Sequence, residues 1–158
     1  MGTRYWENFV LEERLARALG RPTRVLNDAD VQGFGLIADN GLEMVLTLGT
    51  GVGTALFRDG DLMPHLELAQ HPIRKGQTYD EYIGNAALHR KGVKKWSRRV
   101  HKAIANLRSL VRYDVLPIGG GNAPRLIDRR GMCGLAPTRR VLPVGIRLWD
   151  IPARAAPI

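Results

Sequence analysis

Apolar and polar positions follow two periods along the chain, that of a helix and that of a strand. Residues 10–19, VLEERLARAL, place Val10, Leu11, Leu15, Ala18 and Leu19 on one face. That spacing predicts a short amphipathic helix, with Asn8 as its cap and Gly20 and Pro22 as its stop. Thr23–Leu26 read as a strand running into NDAD, where Asn27 or Asp28 can cap a second helix through about Ala38. After a turn at Asn40 and Gly41, residues 42–48 (LEMVLTL) suit a buried strand and Ala55–Phe57 a second one. Asp59-Gly60 then predicts a hairpin turn into a third strand over 61–66.

The helical period returns at Thr78. Two helices are expected, Thr78 to about Arg90 and Val93–Arg112, broken at Gly92. The second carries one apolar stripe of Val93, Trp96, Val100, Ala103, Ile104, Leu107, Leu110 and Val111. DVLPI at 114–118 is a short apolar run that empties into three glycines. Beyond Pro124 the periodicity weakens until VGIRLW at 144–149.

Composition narrows the class. With 158 residues, 44% of them hydrophobic and 25% charged, the chain is long enough to bury a core. No window approaches the roughly 18 uninterrupted apolar residues of a membrane span, and the first residues, MGTRYWENFVLEERL, carry acids where an export signal has its apolar core. A single cysteine, Cys133, excludes a disulfide framework within the chain. A cytoplasmic protein with no membrane partner is the expectation. The net charge of +9 is concentrated: nine of the 24 Lys and Arg residues lie between Arg90 and Arg112, with no acid among them.

Four short stretches can carry chemistry. In LTLGTGVGTALF, Gly49, Gly51 and Gly53 lie between two strands, with neither the Gly-Lys-Ser/Thr of a Walker loop nor the following helix of a dinucleotide fingerprint. Their backbone N–H groups and the Thr50 hydroxyl could face phosphate oxygens, or the glycines could simply permit a tight bend. NDAD offers an Asp beside an Asn: one carboxylate to take a hydroxyl proton and one amide to hold a neighbouring hydroxyl, or else a helix cap. HLELAQH contains His65, Glu67 and His71, a weak metal pattern, in which Glu67 could instead accept two sugar hydroxyls. GGGN, Gly119–Asn122, would let backbone pass close to a flat ligand.

The order of these stretches is more specific than any one of them. VLNDAD, LTLGTGVGTALFRDGDL, HLEL and IGGGNA resemble the polyphosphate glucokinase branch of the ROK family (repressors and sugar kinases), and RKGQTYDEYIG and KKWSRRVHKAIANL resemble its connecting segments. The resemblance covers residues 8 to about 123 and returns at IRLWD. It implies an α/β, actin-like ATPase (ribonuclease H-like) carboxy-terminal kinase domain over 41–158, divergent at 124–144, with 1–40 as a remnant of the amino-terminal lobe. It also implies phosphoryl transfer from ATP or polyphosphate to glucose or a similar hexose, with Mg2+. Asp28 would be the catalytic base, and Asn27, Glu67 and Gln70 would meet the sugar. Gly49, Thr50, Gly51 and Gly53 would hold phosphate, and Gly119, Gly120, Gly121 and Asn122 would lie beneath the nucleotide.

Departures from the family shape the expectation further. Ala69-Gln70 stand where the family has Gly-His. The family's opening Asp-x-Gly-Gly-Thr hairpin has no counterpart, so a chain truncated and impaired on its own is expected, with a homodimer among its expected assemblies. The competing reading is a non-catalytic polyanion-binding module that holds polyphosphate or nucleic acid through Lys94, Lys95, Arg98, Arg99 and Lys102. Sequence-specific nucleic-acid reading is not expected, because no recognition helix or RNA-binding sheet motif is present.

Overall fold

The central strand is apolar on both faces because both faces are covered. The structure, a computed structural model, describes residues 10–127 and 134–135. Helix α1 (Leu11–Leu19) ends at Gly20, whose left-handed φ of 60° lets its N–H reach Ala16 O. Asn8, expected as the cap, lies outside the described residues. Helix α2 (Asp28–Phe34) is followed by strand β1 (Leu42–Leu48), β2 (Val52–Arg58) and the short β3 (Asp61–Leu62). A small hairpin of β4 (Pro72–Arg74) and β5 (Gln77–Thr78) leads into α3 (Tyr79–Ile83) and the long α4 (Asn85–Val111). Strands β6 (Pro117–Gly119) and β7 (Gly134–Leu135) complete a sheet of order β3-β2-β1-β6-β7.

Alternation along β1 divides the core between two layers. Met44, Leu46 and Leu48 face one way and pack with Trp96, Val100, Ile104 and Leu107 of α4. Val45 faces the other way and joins Ala55, Phe57 and Leu62 beneath Phe34 of α2. The Phe34 and Phe57 rings meet edge to face, with centroids 4.8 Å apart. Glu43 is the charged exception in the apolar strand: fully buried, it accepts the N–H groups of Ala38 and Asn40 at 3.0 and 3.2 Å and so closes the reversal between α2 and β1.

Several expected boundaries move, each for a local reason. Thr23–Leu26 form no strand; the Val25 N–H goes to Glu12 Oε2 at 3.1 Å instead of to a ladder. Helix α2 stops at Phe34 rather than Ala38, because the chain turns at Gly35 and the Ala38 N–H is taken by Glu43. The third strand keeps only Asp61 and Leu62, since Pro64 can donate nothing to a ladder and Leu66 O is bound instead by the Thr54 hydroxyl. The expected helix from Thr78 breaks at Gly84, and Trp96 Nε1 donates to Ile83 O at 2.6 Å across that break. Gly92 does interrupt the helical path, with φ 72° and ψ 158°. Of the expected stripe on α4, Trp96, Val100, Ala103, Ile104 and Leu107 are buried, whereas Val93 and Leu110 are exposed. VGIRLW lies outside the described residues.

Candidate functional site

Parallel pairing of β1 with β6 matches Leu46 with Ile118 and Thr47 with Gly119, so the two strands end at the same edge of the sheet. Each runs into a glycine loop there. Carboxyl ends of adjacent parallel strands are where open α/β sheets make their crevices. A cleft of about 330 Å³ opens at this edge, lined by Asp28 and Gln32 of α2, by Thr47 and the Gly49–Gly53 turn, and by Gly120 and Gly121.

The elements hold the cleft open for identifiable reasons. Gly53 lets α2 approach the hairpin: a Cβ there would lie 2.5 Å from Thr47 Oγ1 and 2.8 Å from Ala29 Cβ. Gly53→Ala is therefore expected to push back the start of α2, with Asp28 on it, at a cost of about 1–3 kcal/mol. A shifted denaturant midpoint with unchanged slope checks this, and an unmoved midpoint refutes it. Gly120 has φ +88°, and a Cβ there would meet Leu48 backbone atoms at 2.5–2.7 Å. Asn122 ties its loop to the Gly49 turn, donating from Nδ2 to Gly49 O at 2.8 Å and to Asn85 Oδ1 at 3.2 Å, while its own N–H goes to Leu48 O.

The capping role that the sequence left open between Asn27 and Asp28 falls to Asn27. The Asn27 side chain caps α2 by accepting the Ala29 N–H at 2.9 Å. Asp28 is exposed on the cleft wall, and its carboxylate makes no hydrogen bond among the described residues. Glu67 does not line the cleft but is linked to α2: His65 lies 3.2 Å from Glu67 Oε1 through Nε2 and 3.1 Å from Asp30 Oδ1 through Nδ1. Gln70 is exposed at the end of the turn over Leu68–Gln70, whose Ala69 is buried, and Gly119 is buried in β6, pressed by Leu36. Lys94, Lys95, Arg98 and Lys102 are exposed on α4. Arg99 is engaged inward, with its guanidinium 4.6 Å from the centroid of the Tyr82 ring and Nη1 donating to Tyr82 O.

Three contributors escaped the sequence reading. Asp80 reads as an ordinary acid in the first turn of a helix, yet its Oδ1 accepts the Val52 N–H at 2.9 Å and anchors the far end of the glycine turn. Gln32 follows Asp28 by four residues, a spacing that could have announced a shared face. Thr47 could have been found from the period-two alternation that turns it away from Leu46 and Leu48.

The Asp30–His65 pair carries the clearest electrostatic signal. Burial raises the Asp30 carboxyl above its ordinary value, opposed by the hydrogen bond and charge of His65. Burial also works to lower His65, but the Asp30 hydrogen bond and charge, helped by Glu67, outweigh it and raise the imidazole above 6.5. Both shifts mean that the folded state holds protons more tightly. The His65 contribution to stability is thus complete below 6.5 and lost as pH rises through its folded-state value.

Known proteins fit this geometry. No family model matches the chain. The polyphosphate glucokinase of Mycobacterium tuberculosis is 28% identical over 110 residues, which cover 65% of this chain and 41% of that enzyme. The Mycobacterium leprae enzyme of the same name is 27% identical over 113 residues, covering 66% of this chain and 34% of its own length. Among solved structures, the inorganic polyphosphate/ATP-glucomannokinase from Arthrobacter sp. strain KM superposes with a TM-score of 0.71 at 27% identity, over 90% of this chain and 64% of that one. A ROK family glucokinase from Streptomyces griseus, solved with glucose and AMPPNP, has a TM-score of 0.62 at 16% identity, a likeness of fold, covering 94% of this chain and 65% of that one. The chain thus spans less than two thirds of each of these relatives.

The sheet and its glycine-walled crevice define the class as α/β with the actin-like kinase fold, present here as a partial sheet. More narrowly, the chain is similar in sequence to polyphosphate glucokinases and in fold to solved ROK family kinases, in each case over part of their length.

Proposed function

We propose that the cleft serves phosphoryl transfer from polyphosphate or ATP to a hexose such as glucose. The observation that carries this reading is the meeting of Asp28, the Gly49–Gly53 turn and Gly120–Gly121 around one crevice. Asp28 is an unengaged carboxylate suited to accept the proton of an attacking hydroxyl. Asn27 keeps its amide N–H groups for a neighbouring sugar hydroxyl, and Glu67, linked to α2 through His65, and Gln70 would meet the sugar from the loop after β3. The glycine turn offers N–H groups and the Thr50 hydroxyl to the transferred phosphate, while the 119–122 loop supports the donor.

Among the described residues, no group of three or more His, Cys, Asp or Glu side chains stands close enough together to hold a metal ion. Magnesium carried on the donor's phosphates would find oxygen ligands at Asp28 and Thr50, which suit its preference, and would neutralise phosphate charge there.

In this reading residues 1–40 belong to the amino-terminal lobe of the kinase and 41–158 to the carboxy-terminal domain. No Lys or Arg lines the cleft among its described walls, so the only protein groups that meet charge on the transition state there are N–H groups and the Thr50 hydroxyl, with no side-chain cation. Turnover by the chain alone is therefore expected well below the usual range of about 1 to 1,000 per second. A chimera supplying the part of the Arthrobacter enzyme that this chain leaves unmatched should form glucose 6-phosphate in a coupled assay. A folded chimera that binds neither hexose nor donor would overturn the reading.

The cationic face of α4 favours one donor over the other. Between Asn85 and Val111 the helix contains no acid, and Lys94, Lys95, Arg98 and Lys102 point to solvent without a partner of opposite charge among the described residues. Such a face is suited to a flexible polyanion and has no means of reading bases. Long-chain polyphosphate is expected to bind there and to weaken about tenfold or more between roughly 50 and 200 mM salt. Titration of labelled polyphosphate against the parent and a Lys94→Glu, Arg98→Glu variant checks this. Equal affinity in both, or indifference to salt, would mark α4 as an ordinary solvated surface and leave ATP as the favoured donor.

A further inference from the structure

His65 lies between two carboxylates contributed by different parts of the chain. Its Nδ1 is 3.1 Å from Asp30 Oδ1 in α2, and its Nε2 is 3.2 Å from Glu67 Oε1 in its own loop. The three side chains form a gradient of exposure: Asp30 at 4%, His65 at 21% and Glu67 at 66%. Leu66, between His65 and Glu67, is held by the Thr54 hydroxyl at 3.1 Å, which fixes the backbone from which both side chains project. Asp28, two residues before Asp30, is the further acid whose charge reaches this group.

The chemistry of imidazole makes this arrangement informative. A neutral ring has one N–H and one lone pair, so with two ionised carboxylates it satisfies one and turns its lone pair on the other. An imidazolium donates to both. The same hydrogen-bond chain closes if Asp30 holds the extra proton and donates it to Nδ1, leaving Nε2–H for Glu67. Either way the bridge needs one proton beyond a neutral ring and two carboxylates. Without it, the single N–H goes to Asp30, which is buried and has no water to turn to, and Glu67 faces a lone pair and turns into solvent.

We propose that His65 is a positioning residue, which through this proton-bearing bridge to Asp30 fixes the Glu67 carboxylate against the amino-terminal end of α2, beside Asp28. The inference rests on the reading of Glu67 as a hexose ligand. It adds that the hexose site is assembled by protonation and loosens as the bridge loses its proton. The upward shift of His65, caused by both carboxylates, fits this arrangement.

Two measurements on the whole chain test it. In an NMR titration of the imidazole, His65 should titrate above its ordinary value. Glu67→Gln, a change at an exposed position that spares the core, should lower that value, and Asp30→Asn should lower it further. The Glu67 carboxyl carbon should report the same inflection. A His65 that titrates at its ordinary value, or is unmoved by Glu67→Gln, would overturn the bridge.

Calorimetric titration with glucose then reads positioning. Affinity should fall about tenfold as pH is raised through the His65 inflection, whereas His65→Gln should bind at the weak alkaline level at every pH. The same pH profile in both proteins would overturn the positioning role. A parent chain that binds no glucose at any pH, with both NMR inflections as expected, would sustain the bridge and remove the hexose reading beneath it.

Discussion

Asp28→Asn, introduced into the chimera described above, is expected to lower turnover by about 10²–10⁴-fold, the usual contribution of a general base. Hexose affinity should change little, because the amide has the carboxylate's size and still hydrogen-bonds a hydroxyl. The variant should also fold as the parent does: Asn27, not Asp28, caps α2, and loss of one charge in the first turn costs about 0.3–1 kcal/mol. Steady-state rates together with a thermal melt separate the possibilities. A variant that keeps its turnover would assign Asp28 to helix electrostatics and remove the proposed base.

The second large effect is structural. Gly120→Ala must place a Cβ at 2.5 Å from Leu48 O and at 2.7 Å from Leu48 C and N, in a residue whose φ is +88°. Backbone atoms of a central strand cannot yield as a flexible side chain would. A non-glycine residue at positive φ costs about 1–3 kcal/mol, and the overlap adds a similar amount. The 119–122 loop should therefore move away from β1, and Asn122 should lose its bonds to Leu48 O and Gly49 O, which hold the two glycine loops together. Denaturant unfolding is expected to show a loss of about 3 kcal/mol or more, with donor binding lost even where the fold survives. A midpoint within experimental scatter of the parent's would show that the loop has another conformation available.

The contrast between Gly53 and Gly120 shows how far sequence reading reaches. Both are singled out by glycine-rich runs between apolar segments, and both fall on the walls of the cleft. The reason each must be glycine is different and lies elsewhere in the chain: Ala29 and Thr47 for the one, Leu48 for the other. Similarly, the apolar stripe of α4 is legible because helical period is local, and Trp96, Val100, Ile104 and Leu107 are buried as the period implies. The break at Gly84 was not legible, since an apolar pattern continues across it and the stabilising Trp96-to-Ile83 bond joins residues 13 apart. Arg99 belongs to the same lesson. Composition places it with the free cations of the helix, but a neighbouring aromatic ring and a carbonyl turn it inward.

Strand and helix periods, the positions of turns, the concentration of positive charge on α4 and the order of the four motifs are all properties of neighbouring residues, and they can be read without coordinates. The cleft is not such a property. It exists because β1 pairs in parallel with β6, matching Leu46 with Ile118, and because α2 packs on the opposite face from α4. Parallel pairing across so long a connection depends on burial of both sheet faces, a sum over the whole core that no local period records. The same packing brings Asp30 of α2 within hydrogen-bond reach of His65, 35 residues away, and places Asp80 against the Val52 N–H, 28 residues away. These contacts arise when apolar surface collapses around β1, and the polar groups carried in with it must then find partners from whatever part of the chain has become adjacent.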